Sequence, residues 1–418
     1  MNALIKSATI VDSKSDFHNQ EVDILIENGK IAKISKRISN PKNYKEIKLE
    51  NLHVSQGWFD SSVSFGEPGF EERETISNGL KVAGQFGFTA VAMNANTNPV
   101  IDTNADIAFA LSKANGAACD LKPIGALTKN SESIDLAELF DMKNAGAVAF
   151  YDYQKPIANP NLLKIALQYA SNFDGLVLSF PQESKISGLG VMNENINSTK
   201  LGLKGNPVLA EELQVARDLF LLEYTGGKLH IPTISTAKSV ELIRDAKAKK
   251  LDLTCSVAIH NLMFTDEKLN DFDSNFKVLP PLRTQNDADA LIEGVKDGTI
   301  DMVTSDHNPI DIENKNVEFD HAAYGTVGLE SSFGALQSLF STKKAVSILT
   351  KGKSRFGVED SKIEIGAKAN LTLFNPETKY TFSKTDVKST SKNSVFLGTD
   401  LKGKTYGIIA NNKIELSE

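Results

Sequence analysis

Six histidines make up the whole imidazole supply of this 418-residue chain: His18, His53, His230, His260, His307 and His321. No two form a His-x-His or His-x-x-x-His pair, the spacings that aim two imidazoles the same way from a strand or a helix. The two cysteines, Cys119 and Cys255, have neither metal nor disulfide spacing. No Ser-His-Asp or Cys-His arrangement for nucleophilic catalysis is apparent. Between Gly57 and Phe70, Ser62 and Ser64 stand at i and i+2 after Asp60, so on a strand both hydroxyls face one cavity. Imidazoles at that spacing could hold a metal ion, which lowers the pKa of bound water from ~15.7 to ~7 and makes a hydroxide nucleophile at neutral pH. Serine hydroxyls are poor ligands for a zinc-like ion, which prefers His, Cys and carboxylate. The spacing suits a metal site and the residue types do not.

The segment Gly-Trp-Phe-Asp-Ser-Ser-Val-Ser-Phe-Gly-Glu-Pro-Gly-Phe (57–70) resembles the first metal-binding segment of dihydroorotases, Asp-x-His-Val-His-Phe-Arg-Glu-Pro-Gly. Asp60, Val63, Phe65, Glu67, Pro68 and Gly69 keep the frame, while Ser62 and Ser64 take the histidine positions and Gly66 the arginine position. Val-Leu-Ser-Phe-Pro-Gln-Glu (177–183) resembles the family's Val-x-x-His-x-Glu-Asp, with Phe180 at the histidine. Leu-His-Ile-Pro-Thr-Ile-Ser-Thr (229–236) resembles Leu-His-Ile-x-His-Ile-Ser-Thr, with Thr233 at the ligand histidine. Ser62, Ser64, Phe180 and Thr233 therefore leave all four imidazole positions of the resemblance vacant. Two carboxylate positions remain. Asp152 matches a segment that supplies a metal-bridging carboxylate, and Asp306, in Thr-Ser-Asp-His-Asn-Pro, matches an aspartate that binds metal and shuttles the proton. They read either as a residual acid or weak cation site, or as inherited groups held by hydrogen bonds at strand ends. A hard cation such as magnesium would suit two carboxylates, but nothing nearby in sequence completes its shell.

The resemblance runs through nearly the whole chain. Asn96 keeps a substrate-binding asparagine, whereas Asn94 and Ala95 replace a Met-Pro pair and Leu279 replaces a pocket asparagine. Motifs of turn geometry and packing read correctly: Glu67-Pro68-Gly69, Pro280-Pro281-Leu282-Arg283-Thr284 and Gly328-Leu329-Glu330. The resemblance implies a zinc enzyme that interconverts carbamoyl-aspartate and dihydroorotate in pyrimidine synthesis. The substitutions imply a catalytically inactive relative with no cofactor, acting as a structural or regulatory partner of aspartate transcarbamoylase, with homodimerisation also expected. Two alternatives stay open: a cyclic-amide hydrolase with an atypical or absent metal centre, and a metabolite-binding sensor that keeps its pocket through Asn96.

These residues need a scaffold. At 45.4 kDa the chain exceeds one ordinary domain and suits a barrel of ~250 residues plus a smaller module. From 57 to 355 short apolar strands such as Ala90–Met93, Ala147–Phe150, Leu176–Ser179 and Met302–Ser305 alternate with helical stretches. That alternation predicts a parallel (β/α)8 barrel. Residues 1–56 and 356–418 read as strands, and the resemblance implies that they pair into one small β-sandwich domain. Asn28-Gly29 between alternating runs predicts a hairpin. A net charge of −7 argues against a nucleic-acid surface. The chain opens on strand-like alternation rather than a signal peptide, and no 18-residue apolar run is present, so the expectation is a cytoplasmic protein with no membrane contact.

Overall fold

A computed structural model describes residues 1–417. Eight parallel strands form a barrel: Trp58–Val63, Phe88–Met93, Asp120–Gly125, Ala149–Phe150, Leu176–Leu178, Lys228–Ile231, Leu253–Ala258 and Met302–Thr304, each hydrogen-bonded to the next in chain order. The eighth strand lies beside the first, and a bridge from Val63 to His307 helps to close the ring. The second and fifth strands are buried on both faces, which is why they read as near-continuous apolar runs rather than as alternating ones. Inside the barrel, Phe59, Ala90, Ala92, Ile124, Ala149 and Leu178 pack into one apolar cluster. The predicted (β/α)8 barrel is the observed fold.

Several of the intervening helices start at polar caps that satisfy free N–H groups. Thr103 with Asp106, and Thr284 with Asp287, form reciprocal capping boxes. Thr236, from the His-Ile-Ser-Thr motif, caps Ala237–Ala248 by accepting from the Ser239 N–H at 3.2 Å. No helix among the described residues is long and apolar enough to cross a membrane.

The β domain built from the two ends of the chain is one mixed sheet of eight strands, with Leu371–Thr381 pairing His53–Gln56 on one side and Asp400–Ala410 on the other. The hairpin at Asn28-Gly29 joins Glu27 to Lys30, and both turn residues have positive φ (51° and 72°), as a type I′ turn requires. Trp58 ties sheet to barrel: its ring lies 4.8 Å from Phe333 and 5.4 Å from Phe374, and its indole N–H donates to Ser55 Oγ at 2.9 Å.

Candidate functional site

The C-terminal end of the first strand brings Asp60, Ser62 and Ser64 beside Asp306, which follows the eighth. Asp60 is fully buried and accepts from the Ser62 N–H (3.0 Å), the Ser305 N–H (2.9 Å) and the Thr304 hydroxyl. It locks the two strand ends together, while burial raises its pKa above the usual carboxylate value. Ser62 Oγ donates to Asp306 Oδ1 at 3.2 Å, and the Tyr153 hydroxyl donates to the same oxygen at 3.3 Å. Asn94 Nδ2 donates to Ser62 Oγ at 3.1 Å and to Ser64 Oγ at 3.3 Å. The Asn94 amide thus holds both serines, and the Asp306 carboxylate holds Ser62 as well.

Burial pushes the Asp306 carboxyl up to about 7, reinforced by the nearby Asp60 charge and opposed by the Ser62 and Tyr153 hydrogen bonds. Burial also holds the Tyr153 hydroxyl well above its usual value, so it remains a donor at neutral pH. A pH dependence follows. Between pH about 4 and 7 the folded protein keeps a proton on Asp306 that the unfolded chain has released, so this group makes stability fall as pH rises through that window. Urea unfolding of wild type and Asp306→Asn across this range should differ by a slope approaching ~1.4 kcal/mol per pH unit, the wild type losing more. Parallel pH profiles would contradict the assignment.

The other expected positions separate into those that join this cluster and those that do not. Phe180, following the fifth strand, is 1% exposed and packs in the barrel cluster with Tyr151 and Tyr153. Thr233 is buried, and its N–H donates to Ser256 Oγ at 3.2 Å. Thr233 and Asp306 both sit in the left-handed region, φ 45° and 46°, a conformation that costs of order 1–3 kcal/mol for such side chains. Asp152 turns away: its carboxylate accepts from the Leu127 N–H (2.9 Å), the Thr128 N–H (3.0 Å) and the Thr128 hydroxyl (2.5 Å), as a strand-end carboxylate held by hydrogen bonds. Asn96 is half-buried, and its Oδ1 is buried without a partner. Leu279 offers only its carbonyl, which accepts from Gln154 Nε2 at 2.8 Å.

The donor set does not fit a zinc ion. Two hydroxyls already bonded to an Asn94 amide, a phenyl ring and a threonine stand where imidazoles would be needed. Among the described residues, no three His, Cys, Asp or Glu side chains gather closely enough to share a metal. The nearest imidazole in sequence, His307, is fully buried; its Nδ1 accepts from the Gly328 N–H at 3.3 Å, and burial lowers its pKa to about 3. His230 is spent between Thr254 Oγ1 (2.9 Å) and Ser256 Oγ (3.1 Å). At Gly66, a Cβ would fall 1.8 Å from the Phe70 carbonyl oxygen, so an arginine there would require a different loop.

Two members of this cluster, Tyr153 and Asn94, were not singled out from sequence as site residues. Asn94 carried a signal, a polar amide in place of an apolar methionine beside the serine pair. Tyr153 carried none, because its partner Asp306 lies 153 residues away. The packing motifs, in contrast, hold their expected places. Glu67 accepts from the Ile76 N–H at 3.1 Å and pairs with Lys113 at 2.6 Å. Glu330 accepts from the Ser389 N–H (2.9 Å) and hydroxyl (2.6 Å).

A family profile described as "Dihydro-orotase-like" matches residues 53–239. The curated dihydroorotase of Pelotomaculum thermopropionicum is 39% identical over 425 residues, covering 100% of this chain and 99% of that protein. That of Acetivibrio thermocellus is 39% identical over 423 residues, covering 99% of each. Among solved structures, the L-hydantoinase (dihydropyrimidinase) from Arthrobacter aurescens superposes with a TM-score of 0.86 at 21% identity, over 99% of this chain and 95% of that one, a likeness of fold. Full-length identity to curated dihydroorotases, with the barrel and terminal sheet in place, shows that the chain belongs to the dihydroorotase family.

Proposed function

We propose that this chain is a non-hydrolysing member of its family that serves pyrimidine synthesis as a structural or regulatory partner, in the cytoplasm, with aspartate transcarbamoylase as the expected partner. One observation carries the reading: the four imidazole positions hold Ser62 and Ser64 (hydroxyls bonded to Asn94), Phe180 (packed in the barrel cluster) and Thr233 (buried). Gly66 adds to it, since a carboxylate grip by a planar guanidinium has no counterpart there. Loss of one electrostatic stabiliser typically costs ~10²–10³ in rate, and here several losses fall on one coupled site.

A second reading, dihydroorotase-type hydrolysis with an unusual centre, is favoured by the names of the full-length relatives and by Asp306, whose pKa near 7 suits a proton carrier. One assay separates them. Protein prepared from a host lacking its own dihydroorotase, supplied with zinc or manganese, should turn over neither carbamoyl-aspartate nor dihydroorotate above background. A steady rate proportional to protein concentration and abolished by Asp306→Asn would establish the second reading.

A further inference from the structure

A cavity of about 360 Å³ lies between the terminal sheet and the N-terminal end of the barrel, opposite the mouth. One wall is the turn after the strand Ala3–Ile10, with Asp12, Lys14 and His18. The other is the helix Thr342–Thr350 and the turn that follows it. Two lining residues place the cavity at that end of the barrel. Gln56 precedes the first barrel strand, and Gly352 lies against Met302, where the eighth strand starts. The φ of Gly352, 83°, favours glycine, and the turn it makes carries Lys353 into the cavity wall.

Lys353 is the unusual group there. It is 1% exposed, and its ammonium makes one hydrogen bond, to Gln56 Oε1 at 3.2 Å. A buried ammonium has three donors, and a single neutral acceptor leaves its charge uncompensated. The carboxylates of the cavity are committed elsewhere. Asp360 pairs with Lys14 at 2.6 Å, and Asp12 accepts from the Lys14 N–H (3.0 Å) and the Ile363 N–H (2.9 Å). Lys351 reaches Asp301 at 3.7 Å. Of the four lining lysines, Lys343 and Lys353 are thus left without an ion pair among the described residues. Burial lowers the Lys353 pKa to about 8, with the Asp360 and Asp12 charges opposing the shift and Lys14 reinforcing it. His18 adds a buried Nδ1 that meets no partner.

We propose that this cavity binds the phosphate group of a small molecule, held by Lys343, Lys353 and His18. Two unpaired ammonium groups match the charge of a phosphate dianion, and a carboxylate would meet only one of them. Exposed Ser13 and Ser347 supply hydroxyls at the rim. The volume falls at the lower end of small-molecule sites, and Val11 and Val346 give the rest of a ligand an apolar wall. Because one wall belongs to the terminal sheet and the other to the barrel, a bound phosphate bridges the two. The site uses no residue of the barrel mouth, so it stands whether or not the chain hydrolyses a cyclic amide.

Calorimetric titration of the whole protein with inorganic phosphate and with ribose 5-phosphate, at an ionic strength held constant with chloride, tests it. At least one probe should saturate a single site per chain, and the tighter of the two tells whether the site takes the free anion or its ester. Lys353→Met keeps the length and apolar stem of the side chain while removing its charge, and should abolish saturation. Lys343→Ala, at an exposed position, should weaken binding roughly 10-fold or more, the loss expected for one charged hydrogen bond. Its circular dichroism should match wild type, so it keeps the test decisive even where Lys353→Met fails to fold. A wild type that gives no saturable heat with either probe would overturn the proposal. So would saturable binding that either substitution, in a folded variant, leaves unchanged.

Discussion

Phe180→Ala should lower the unfolding free energy by about 3–5 kcal/mol, the usual cost of deleting a fully buried phenyl ring from a packed core. In the family resemblance this is a ligand position, where an imidazole would serve a metal and not the fold. Here the ring is 1% exposed and packs in one cluster with Tyr151, Tyr153 and Leu178 at the C-terminal end of the barrel. Its removal leaves a void that those rigid neighbours can fill only in part, and it loosens the tyrosine that holds Asp306. Chemical denaturation would show a lower midpoint with an unchanged slope. Phe180→His tests the same point from the other side. It should also destabilise, because a buried imidazole would find no partner prepared for it. A Phe180→Ala protein as stable as wild type would mean that the ring is not core.

Glu211→Ala should cost a similar ~3–5 kcal/mol, for an electrostatic reason. Glu211 is 2% exposed and accepts from the Ser235 N–H (2.7 Å), the Thr236 N–H (3.0 Å) and the Ser235 hydroxyl. The same Ser235 Oγ accepts from Arg283 Nε at 3.1 Å, and Arg283 also donates to the Asn206 carbonyl at 2.6 Å and to Asn193 Oδ1 at 3.1 Å. Burial pulls the Arg283 guanidinium below its usual pKa, and the Glu211 and Asp287 charges oppose that shift. Removing the carboxylate would leave three donors unmet and a buried cation short of its largest counter-charge. Glu211→Gln keeps an acceptor in place and should lose less. A chevron or urea series on both variants checks the order; equal, small losses would contradict it.

These two positions mark what was legible in the sequence. The barrel was, because parallel strands buried on both faces leave short all-apolar runs such as Ala90–Met93 and Leu176–Leu178 between helical stretches. The Asn28-Gly29 hairpin was, because a type I′ turn demands residues that tolerate positive φ. The residue types at the four imidazole positions of the resemblance, Ser62, Ser64, Phe180 and Thr233, are read directly from the sequence. What they bond to is not. The Thr304–Asp60 and Ser62–Asp306 bonds each join residues 244 apart, and no local pattern encodes a partner at that distance. Asp152 was readable as a carboxylate at a strand end, but its turn toward the 127–128 backbone depends on the path of a loop 24 residues upstream.

At the barrel mouth Ser62, Ser64, Asn94, Tyr153 and Asp306 form a hydrogen-bonded cluster beside the packed ring of Phe180. Calorimetric titration of the dialysed protein with zinc tests most directly whether this cluster holds a metal, because fixed protein ligands supply the binding free energy of such a site. No saturable site of one zinc per chain is expected, and the heats should be unchanged by Asp306→Asn. A stoichiometric zinc site that survives dialysis and disappears in Asp306→Asn would contradict it.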